Sequence, residues 1–367
     1  MSPTTPRTTP RPRVLSGMRP TGRLHLGNYM GALYNWVNLQ QDYDCYFFIA
    51  DLHALTTDYA DTSELHRNIQ DVALDFLAAG LDPGRAVIFK QSEVMHHAQL
   101  CTLFSMMTPI PWLERVPSYK DQQAQLTDKD LNTYGFLGYP LLQAADILLY
   151  KPDFVPVGAD QVAHVELTRE VARRFNALYG PRSTAAAAHL AATASDKERL
   201  AALEGEARTV QEILPEPKVL LTPSPKLPGL DGRKMSKSYN NTIMLSEPEA
   251  DLRAKLKTMV TDPARIRRTD PGNPDVCPVF DLHKVFSSQE TQQKAAEGCR
   301  SAGIGCIECK NWVADAIIER IAPIQARRRD LESRPSVIDD VLANGKDRAT
   351  KRAQQTLDEV QLAMGLR

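Results

Sequence analysis

Long hydrophobic runs are missing from this sequence. No apolar stretch approaches the roughly 18 residues that a membrane-spanning helix requires, and no secretory hydrophobic segment is found near the N-terminus. We therefore expect no membrane association and place the protein in the cytoplasm. An excess of charge of one sign is missing too. The formal net charge is −1, so a nucleic-acid surface would have to come from local basic patches.

Acidic residues are absent from the N-terminal stretch 1–12, which is rich in proline, threonine and arginine. An organellar transit peptide would use an amphipathic helix, and this density of proline argues against one. The stretch also has little apolar surface to bury. We expect residues 1–12 to form a disordered tail.

Short buried strands alternate with helices over most of the chain. Apolar runs at 45–51, 86–91, 153–158 and 217–223 are typical of strands in a parallel sheet, and helical patterns separate them. This order predicts an α/β protein with a doubly wound, parallel, Rossmann-like catalytic domain over 13–245. Within it, 181–212 is rich in alanine and poor in large apolar residues, and we interpret it as a surface insertion.

Strand patterns stop after the second third of the chain, and amphipathic helices follow. We predict an α-helical C-terminal domain over 246–367. Lysine and arginine cluster locally in this part, for example at 265–268. Such clusters could contact the phosphates of an RNA partner, although each is also compatible with a solvated helix face.

The stretch TGRLHLGN joins a short apolar segment to a helical pattern. A helix N-terminus offers free backbone N–H groups to an anion. Gly27 permits a close approach, and His25 and Asn28 can donate hydrogen bonds to a phosphate or a ribose. The alternative is that Gly27 and Asn28 only begin a helix.

A second polar loop, DGRKMSKSYNN at 231–241, carries two lysines three residues apart. Lys234 and Lys237 can act as mobile cations on phosphates, and Ser236 and Ser238 can complete an anion site. Taken alone, the loop is also compatible with a solvated basic turn.

Together the two motifs resemble the H-x-G and KMSKS signature pair of class I aminoacyl-tRNA synthetases. Asn28 at the fourth position of the first motif is similar to the tryptophan and tyrosine branch. The segment 138–176 closely resembles tryptophanyl-tRNA synthetases, and the likeness runs from about Leu15 to the C-terminus apart from 181–212. It implies ATP-dependent attachment of L-tryptophan to tRNA(Trp) through a tryptophanyl-adenylate, with Mg²⁺ on the phosphates. It also implies a homodimer with 109–122 near the subunit contact.

The resemblance implies roles for individual residues. Asp146 would accept the indole N–H, although a carboxylate bonded within its own helix is the plainer alternative. Tyr139, Gln161 and His53 would complete the tryptophan site, and Arg19 stands where relatives often have glutamine. Catalysis is assigned to His25, Asn28, Lys234 and Lys237. The ATP contacts expected are Arg19, Pro20, Thr21, Gly27, Asn28, Gly158, Ala159, Asp160, Val219, Lys234, Met235, Ser236, Lys237 and Ser238.

Four of the six cysteines are crowded into one short region. Cys277, Cys299, Cys306 and Cys309 have the spacing C-x21-C-x6-C-x2-C, and four thiolates are a full ligand set for Zn²⁺ or for a 4Fe–4S cluster. Four free thiols are the alternative. Resemblance to a subset of tryptophanyl-tRNA synthetases favours the iron–sulfur cluster over zinc.

Three other functions compete with this interpretation. Tyrosyl-tRNA synthetase shares the signature pair and the need for a buried acceptor. A small-molecule nucleotidylyltransferase shares the H-x-G turn, but the exact KMSKS string and the basic helical region argue against it. A non-catalytic RNA-binding or metal-sensing paralogue would not need to keep both lysines of KMSKS and Asp146.

Overall fold

The structure is a computed structural model that describes residues 10–125, 129–180, 212–221 and 226–367, without the side chains of Ala124, Gln125 and Asp160. Nearly all of the predicted tail and of the predicted insertion at 181–212 therefore lies outside the described residues. In the described part of the chain, no helix is both long and apolar enough to cross a membrane.

Five parallel strands form one sheet in the order β3-β2-β1-β4-β5. The strands are β1 (Arg13–Met18), β2 (Asp44–Ile49), β3 (Ala86–Lys90), β4 (Phe154–Val157) and β5 (Lys218–Leu221). The chain builds one half of the sheet outward from β1 and then crosses to β4 on the other side. The predicted doubly wound parallel sheet is confirmed, and its topological switch point lies between β1 and β4.

Helices cover both faces of this sheet. A continuous helical segment follows β1 as α1 (Leu26–Asn28), a π-helical stretch (Tyr29–Leu33) and α2 (Tyr34–Leu39). The sequence pattern predicts an ordinary helix here, so the π-helical stretch is a difference. The other helices of this half are α3 (Asp51–Asp58), α4 (Leu65–Ala79), α5 (His96–Ser105), α6 (Ile110–Glu114), α7 (Pro117–Gln125), α8 (Tyr134–Tyr150) and α9 (Val162–Tyr179).

The C-terminal region is helical, as predicted. Its helices are α10 (Glu249–Thr258), α11 (Pro278–Phe286), α12 (Gln289–Arg300), α13 (Cys306–Glu332) and α14 (Ser336–Ala363). The last helix returns to the sheet, where Gly345 packs directly on the backbone of Ile88 in β3. The boundary near residue 246 stays a prediction.

Alternate side chains of each strand enter two different cores. On one face, Phe47 packs in a cluster with Trp36 and Phe76, and this cluster continues into Ile317 and Ile321 of α13. On the other face, the neighbouring residue in β2, Phe48, packs with buried residues of α5, α8 and α9. The carboxyl ends of β1 and β4 are left between these two cores and open into a cavity.

Candidate active site

A cavity of about 350 Å³ lies at the switch point of the sheet. Ser16 and Gly17 of β1 and Pro156 and Val157 of β4 form its floor. Open α/β sheets bind their ligands at this position. The predicted site residues that line the cavity are Arg19, His53, Tyr139, Asp146, Gly158 and Gln161.

Asp146 lies in the wall of this cavity with 1% of its surface exposed. His53 Nε2 is 2.7 Å from Oδ2, and Gln91 Nε2 and His97 Nδ1 are 2.7 and 2.6 Å from Oδ1. Burial alone would raise the pKa of Asp146, but the charges and hydrogen bonds of His53 and His97 lower it to about 2. The carboxylate is therefore ionised and fully oriented. The alternative that it bonds within its own helix is wrong.

A hydrogen-bonded chain orients Tyr139 beside the same cavity. The Tyr139 hydroxyl is 2.6 Å from Ser118 Oγ, which is also 2.6 Å from His164 Nε2. Ser118 comes from α7, so it joins the segment 109–122 to the two cavity-lining residues. Burial raises the pKa of Tyr139, and its hydroxyl keeps its proton at neutral pH.

His25 and Asn28 close the first signature turn as a reciprocal cap. Asn28 N donates to His25 Nδ1 and His25 N donates to Asn28 Oδ1, both at 3.2 Å. A Cβ on Gly27 would lie 2.9 Å from the His25 ring and 3.5 Å from Met235 Cβ. Glycine is needed because a Cβ would clash with the His25 ring of the same turn, whereas the distance to Met235 is an ordinary van der Waals contact.

The second signature loop is fixed to the first by Lys237. Its Nζ donates to the Thr21 carbonyl oxygen at 2.7 Å. Met235 is buried, whereas Lys234 and Ser238 are exposed at the loop surface. Buried Asn241 holds the loop, since its Oδ1 accepts from Ser236 N at 2.8 Å.

Electrostatics set the protonation states of this corner. Burial and then the charges of Lys237 and Lys234 lower the pKa of His25 to about 4, so His25 is neutral at pH 7. Burial lowers the pKa of Lys237 to about 8, and the carboxylates of Asp75 and Asp71 oppose that fall. Lys237 is therefore mostly protonated at pH 7, with its pKa close to the working range.

The remaining predicted ATP contacts are not all gathered at one place. Arg19 pairs with Asp58 at 3.4 Å and donates to Thr57, so it contacts an acid. Pro20, Thr21 and Ser238 line a second cavity beside it, of about 530 Å³. Ala159 begins a 3₁₀ turn after β4, and the side chain of Asp160 lies outside the described residues. Val219 pairs with β4 in the sheet and does not line the 350 Å³ cavity.

The four clustered cysteines lie where α11, α12 and α13 begin or end. Burial and then the charges of Cys277, Cys299 and Cys306 raise the pKa of Cys309 to about 12. However, the described residues contain no group of three or more histidine, cysteine or acidic side chains arranged to hold a metal ion. The expectation of a ready metal centre is therefore not confirmed. Cys299 and Cys309 have protein partners instead, namely Arg265 Nη1 at 3.8 Å and His283 Nε2 at 3.4 Å.

Comparison with known proteins decides between the alternatives. The profile of the family described as tRNA synthetases class I (W and Y) matches residues 7–322. The tryptophan–tRNA ligase of Ralstonia nicotianae is 51% identical, with 96% of this chain and 98% of that protein covered. The Thermotoga maritima tryptophan–tRNA ligase is 48% identical, with 96% and 99% covered. The chain belongs to the tryptophan–tRNA ligases.

A solved structure supports the same family assignment. The crystal structure of tryptophanyl-tRNA synthetase from Campylobacter jejuni, complexed with ADP and tryptophan, aligns with a TM-score of 0.79 at 30% identity. The alignment covers 96% of this chain and 99% of the Campylobacter jejuni chain. Among the alternatives left open by the sequence, membership in the tryptophan–tRNA ligases favours a tryptophan enzyme over a tyrosine enzyme and over a non-catalytic paralogue.

Several residues of this ligase site were not found from the sequence. Gln91 and His97 hold Asp146, Ser118 holds Tyr139, and His164 holds Ser118, yet none of the four belongs to a signature motif. Gln91 and His97 are fully buried. A buried glutamine directly after an apolar strand and a histidine on the apolar face of a helix are the only signals that could have found them. Neither signal indicates that the residue contacts Asp146.

Proposed function

We propose that the protein joins L-tryptophan to tRNA(Trp) in two steps. The tryptophan carboxylate attacks the α-phosphate of ATP, which gives tryptophanyl-adenylate and pyrophosphate. The terminal ribose of tRNA(Trp) then takes the tryptophanyl group and releases AMP. The observation that carries this proposal is the contact of Lys237 with Thr21, because it joins the two signature segments two residues from Arg19, which lines the cavity proposed for tryptophan.

The protein's own groups would act by positioning and by charge. His25 is neutral at pH 7 and can donate from Nε2 to a phosphate oxygen, since its Nδ1 accepts from Asn28 N. Lys234 and Lys237 would stabilise charge that develops on the α- and β-phosphates. No protein nucleophile is required. Arg19, Pro20, Thr21, Gly158, Ala159, Asp160 and Val219 stay predictions as ATP contacts.

Tryptophan would lie with its indole against Asp146. Oδ1 is occupied by Gln91 and His97, whereas Oδ2 has His53 as its one described partner, on the cavity side. The indole N–H would share Oδ2 with His53. Tyr139 and Gln161 line the same cavity and would hold the amino and carboxylate groups. A site that needs a donor on its ligand rejects phenylalanine strongly.

Mg²⁺ would accompany ATP. The described residues contain no group of three or more histidine, cysteine or acidic side chains arranged to hold a metal ion. Phosphate oxygens and water would therefore supply most of its ligands, which suits this ion. When bound, it neutralises part of the phosphate charge.

Two further properties belong to the proposal. We place the enzyme in the cytoplasm, and we propose a homodimer with the segment 109–122 at the subunit contact. Ile110, near the start of this segment, and Met106, four residues before Ile110, support this surface, since 58% and 71% of their areas are exposed. Exposed apolar patches mark interfaces between proteins.

Lys237→Ala tests the main proposal. In tryptophan-dependent exchange of pyrophosphate into ATP, we expect a loss in kcat of about 100-fold or more and a tryptophan KM within about twofold of wild type. Tyrosine in place of tryptophan should give no exchange. A variant in which only the tryptophan KM rises would contradict the role of Lys237 in the transition state.

We also propose that Cys277, Cys299, Cys306 and Cys309 hold a 4Fe–4S cluster, with Zn²⁺ as the alternative. Four thiols are a suitable donor set. A Cβ on Gly272 would lie 2.6 Å from Cys299 Sγ, so the backbone leaves room only for the sulfur there. The group would supply a structural crosslink between α11, α12 and α13 and a charged centre within the C-terminal helical region.

Metal and acid-labile sulfide analysis after anaerobic purification tests the cluster. Iron and sulfide near four per chain, with a broad visible absorption band, are expected. One zinc and no sulfide would replace the cluster by a structural zinc site. A protein that contains neither iron nor zinc would contradict both alternatives, and the four thiols would then be free.

A further inference from the structure

The last turns of α13 reach from the helical region into the catalytic half. Arg328 donates to the carboxylates of Asp71 and Asp75 on α4, and only 3% of its surface is exposed. One turn earlier, Gln325 Nε2 donates to the carbonyl oxygens of Leu245 and Glu247, at 2.9 and 2.8 Å. Neither residue belongs to a signature motif or lines either cavity.

Both of these contacts lead to the first signature turn. Asp75 Oδ2 accepts from Leu24 N at 2.7 Å, directly before His25. Leu245 N donates to the Leu24 carbonyl oxygen at 2.8 Å. Gln325 therefore holds the segment around Leu245, which pairs with the signature turn. Leu26 N donates to the Ile243 carbonyl oxygen at 2.9 Å on the other side of His25. The backbone around His25 is thus fixed from two directions by groups that α13 holds.

Arg328 also balances the charge beneath the second signature loop. Asp75 is 1% exposed, and a carboxylate so buried is costly without a partner. Burial raises the pKa of Asp75, while the charge of Arg328 is the largest influence against that rise. Asp71 and Asp75 act in turn on Lys237. Without Arg328, the carboxylates of Asp71 and Asp75 would either take up a proton or move. The hydrogen bond from Leu24 N to Asp75 and the electrostatic attraction of both carboxylates for Lys237 would then change together.

We propose that Arg328 and Gln325 are positioning residues for adenylate formation, setting the distance between the His25 turn and the Lys237 loop. The inference rests on the proposed placing of the ATP phosphates between those two segments. It assigns to the helical region a part in the ATP step, which takes place before tRNA is needed. A displacement of about 1 Å at such a site can cost as much as 100-fold in rate.

Pyrophosphate exchange without tRNA tests this proposal. For Arg328→Met we expect kcat/KM for ATP to fall by about 10- to 100-fold, with the tryptophan KM within about twofold of wild type. Arg328→Lys keeps the charge and should recover part of the loss. Gln325→Leu, which keeps the side-chain size but not the two hydrogen bonds, should lower kcat by about three- to tenfold.

Arg329→Met is the matched control. Arg329 is the next residue of α13, carries the same charge and is exposed, and its expected exchange kinetics are those of wild type. If Arg328→Met does not fold, the ATP kinetics of Gln325→Leu and Arg328→Lys test the inference in its place. A folded Gln325→Leu or Arg328→Met variant with wild-type ATP kinetics would overturn the inference, as would equal losses for ATP and tryptophan. If Lys237→Ala leaves kcat unchanged, the proposed function itself is contradicted. If Lys237→Ala lowers kcat but the Arg328 and Gln325 variants do not, only this further inference is contradicted.

Discussion

Asp146 carries its charge in a place where charge is costly. It is buried, and in the described part of the chain two histidines and a glutamine hold it, with no lysine or arginine among its hydrogen-bond partners. If His97 donates from Nδ1 to the carboxylate, its Nε2 must accept from the Tyr150 hydroxyl at 2.9 Å. These donors fix both oxygens, so Oδ2 can distinguish a ligand with an N–H group from one without it.

Asp146→Asn tests that role. The amide nitrogen would replace one acceptor, so a donor would face either His53 and the indole N–H at the Oδ2 position or Gln91 and His97 at the Oδ1 position. We expect the tryptophan KM to rise by about 10- to 100-fold, the value for a hydrogen bond to a charged group, and the ATP KM to stay near wild type. Exposed Asp42→Asn is the control with the same chemical change. A tryptophan KM unchanged in Asp146→Asn would exclude the carboxylate as the indole acceptor.

Lys237 makes the ATP step sensitive to alkaline pH. Burial lowers its pKa to about 8 in the free enzyme, and the group loses its charge as the pH rises through that value. We expect kcat/KM for ATP, which reports the free enzyme, to be constant from about pH 6.5 to 7.5 and to fall above about pH 8. Lys237→Arg stays charged, so its profile should lose this fall. An unchanged alkaline fall in Lys237→Arg would assign it to another group.

Residues that belong to a signature motif could be predicted from the sequence. The residues that hold site residues in place through hydrogen bonds could not. His25, Asn28 and Lys237 were found because their types and order are specific. Gln91 and His97 come from a different part of the chain than Asp146, and only the fold brings the three together. The pairing of Arg19 with Asp58 likewise depends on the fold, because the two residues are 39 positions apart in the chain.

At the scale of elements, the strands were predictable because each is a short apolar run between polar turns. The π-helical stretch at Tyr29–Leu33 was not, since its apolar spacing is also that of an ordinary helix. The return of α14 to the sheet was not predictable either. Its apolar face indicates only that it packs on something, and nothing in the sequence identifies β3 as the partner.

Gly345 shows how packing can reverse a rule about helices. A glycine inside a helix is less favourable than alanine by about 1 kcal/mol, so the sequence alone predicts that Gly345→Ala stabilises α14. In the structure, the added Cβ would lie 1.7 Å from the Ile88 carbonyl oxygen. We expect Gly345→Ala to lower the free energy of unfolding by about 3 kcal/mol, through overpacking.

Gly135→Ala in α8 is the control for this variant. Among the described residues, no heavy atom beyond its sequence neighbours and its own helix backbone lies within 4 Å of the added Cβ, so stability should stay constant or rise slightly. Urea unfolding of both variants measures the difference. Equal stabilities for the two would mean that α14 does not press on β3.

At the scale of the whole molecule, one core joins the sheet to the C-terminal helices. Ile317, Ile321 and Ile324 of α13 are buried in the same cluster as Trp36 and Phe76 of the catalytic half. Arg328 adds a buried ion pair across the same contact. Neither region can expose this surface without a large loss of apolar burial. We therefore expect the described regions to unfold together, even though the chain changes its pattern of elements near residue 246.

Ile321→Ala examines this cooperativity. Ile321 is 1% exposed, so the truncation should cost about 2–5 kcal/mol. The unfolding midpoint should fall equally when followed by far-UV circular dichroism and by the fluorescence of Trp36 in a Trp112→Phe, Trp312→Phe background. Trp36 stacks on Phe47 of β2 at 4.7 Å and so reports the sheet. Leu362→Ala, at a side chain that is 68% exposed, should leave both midpoints in place. A shift in circular dichroism without a shift at Trp36 would mean that the helices unfold independently, and α13 could then not hold the catalytic turn in place.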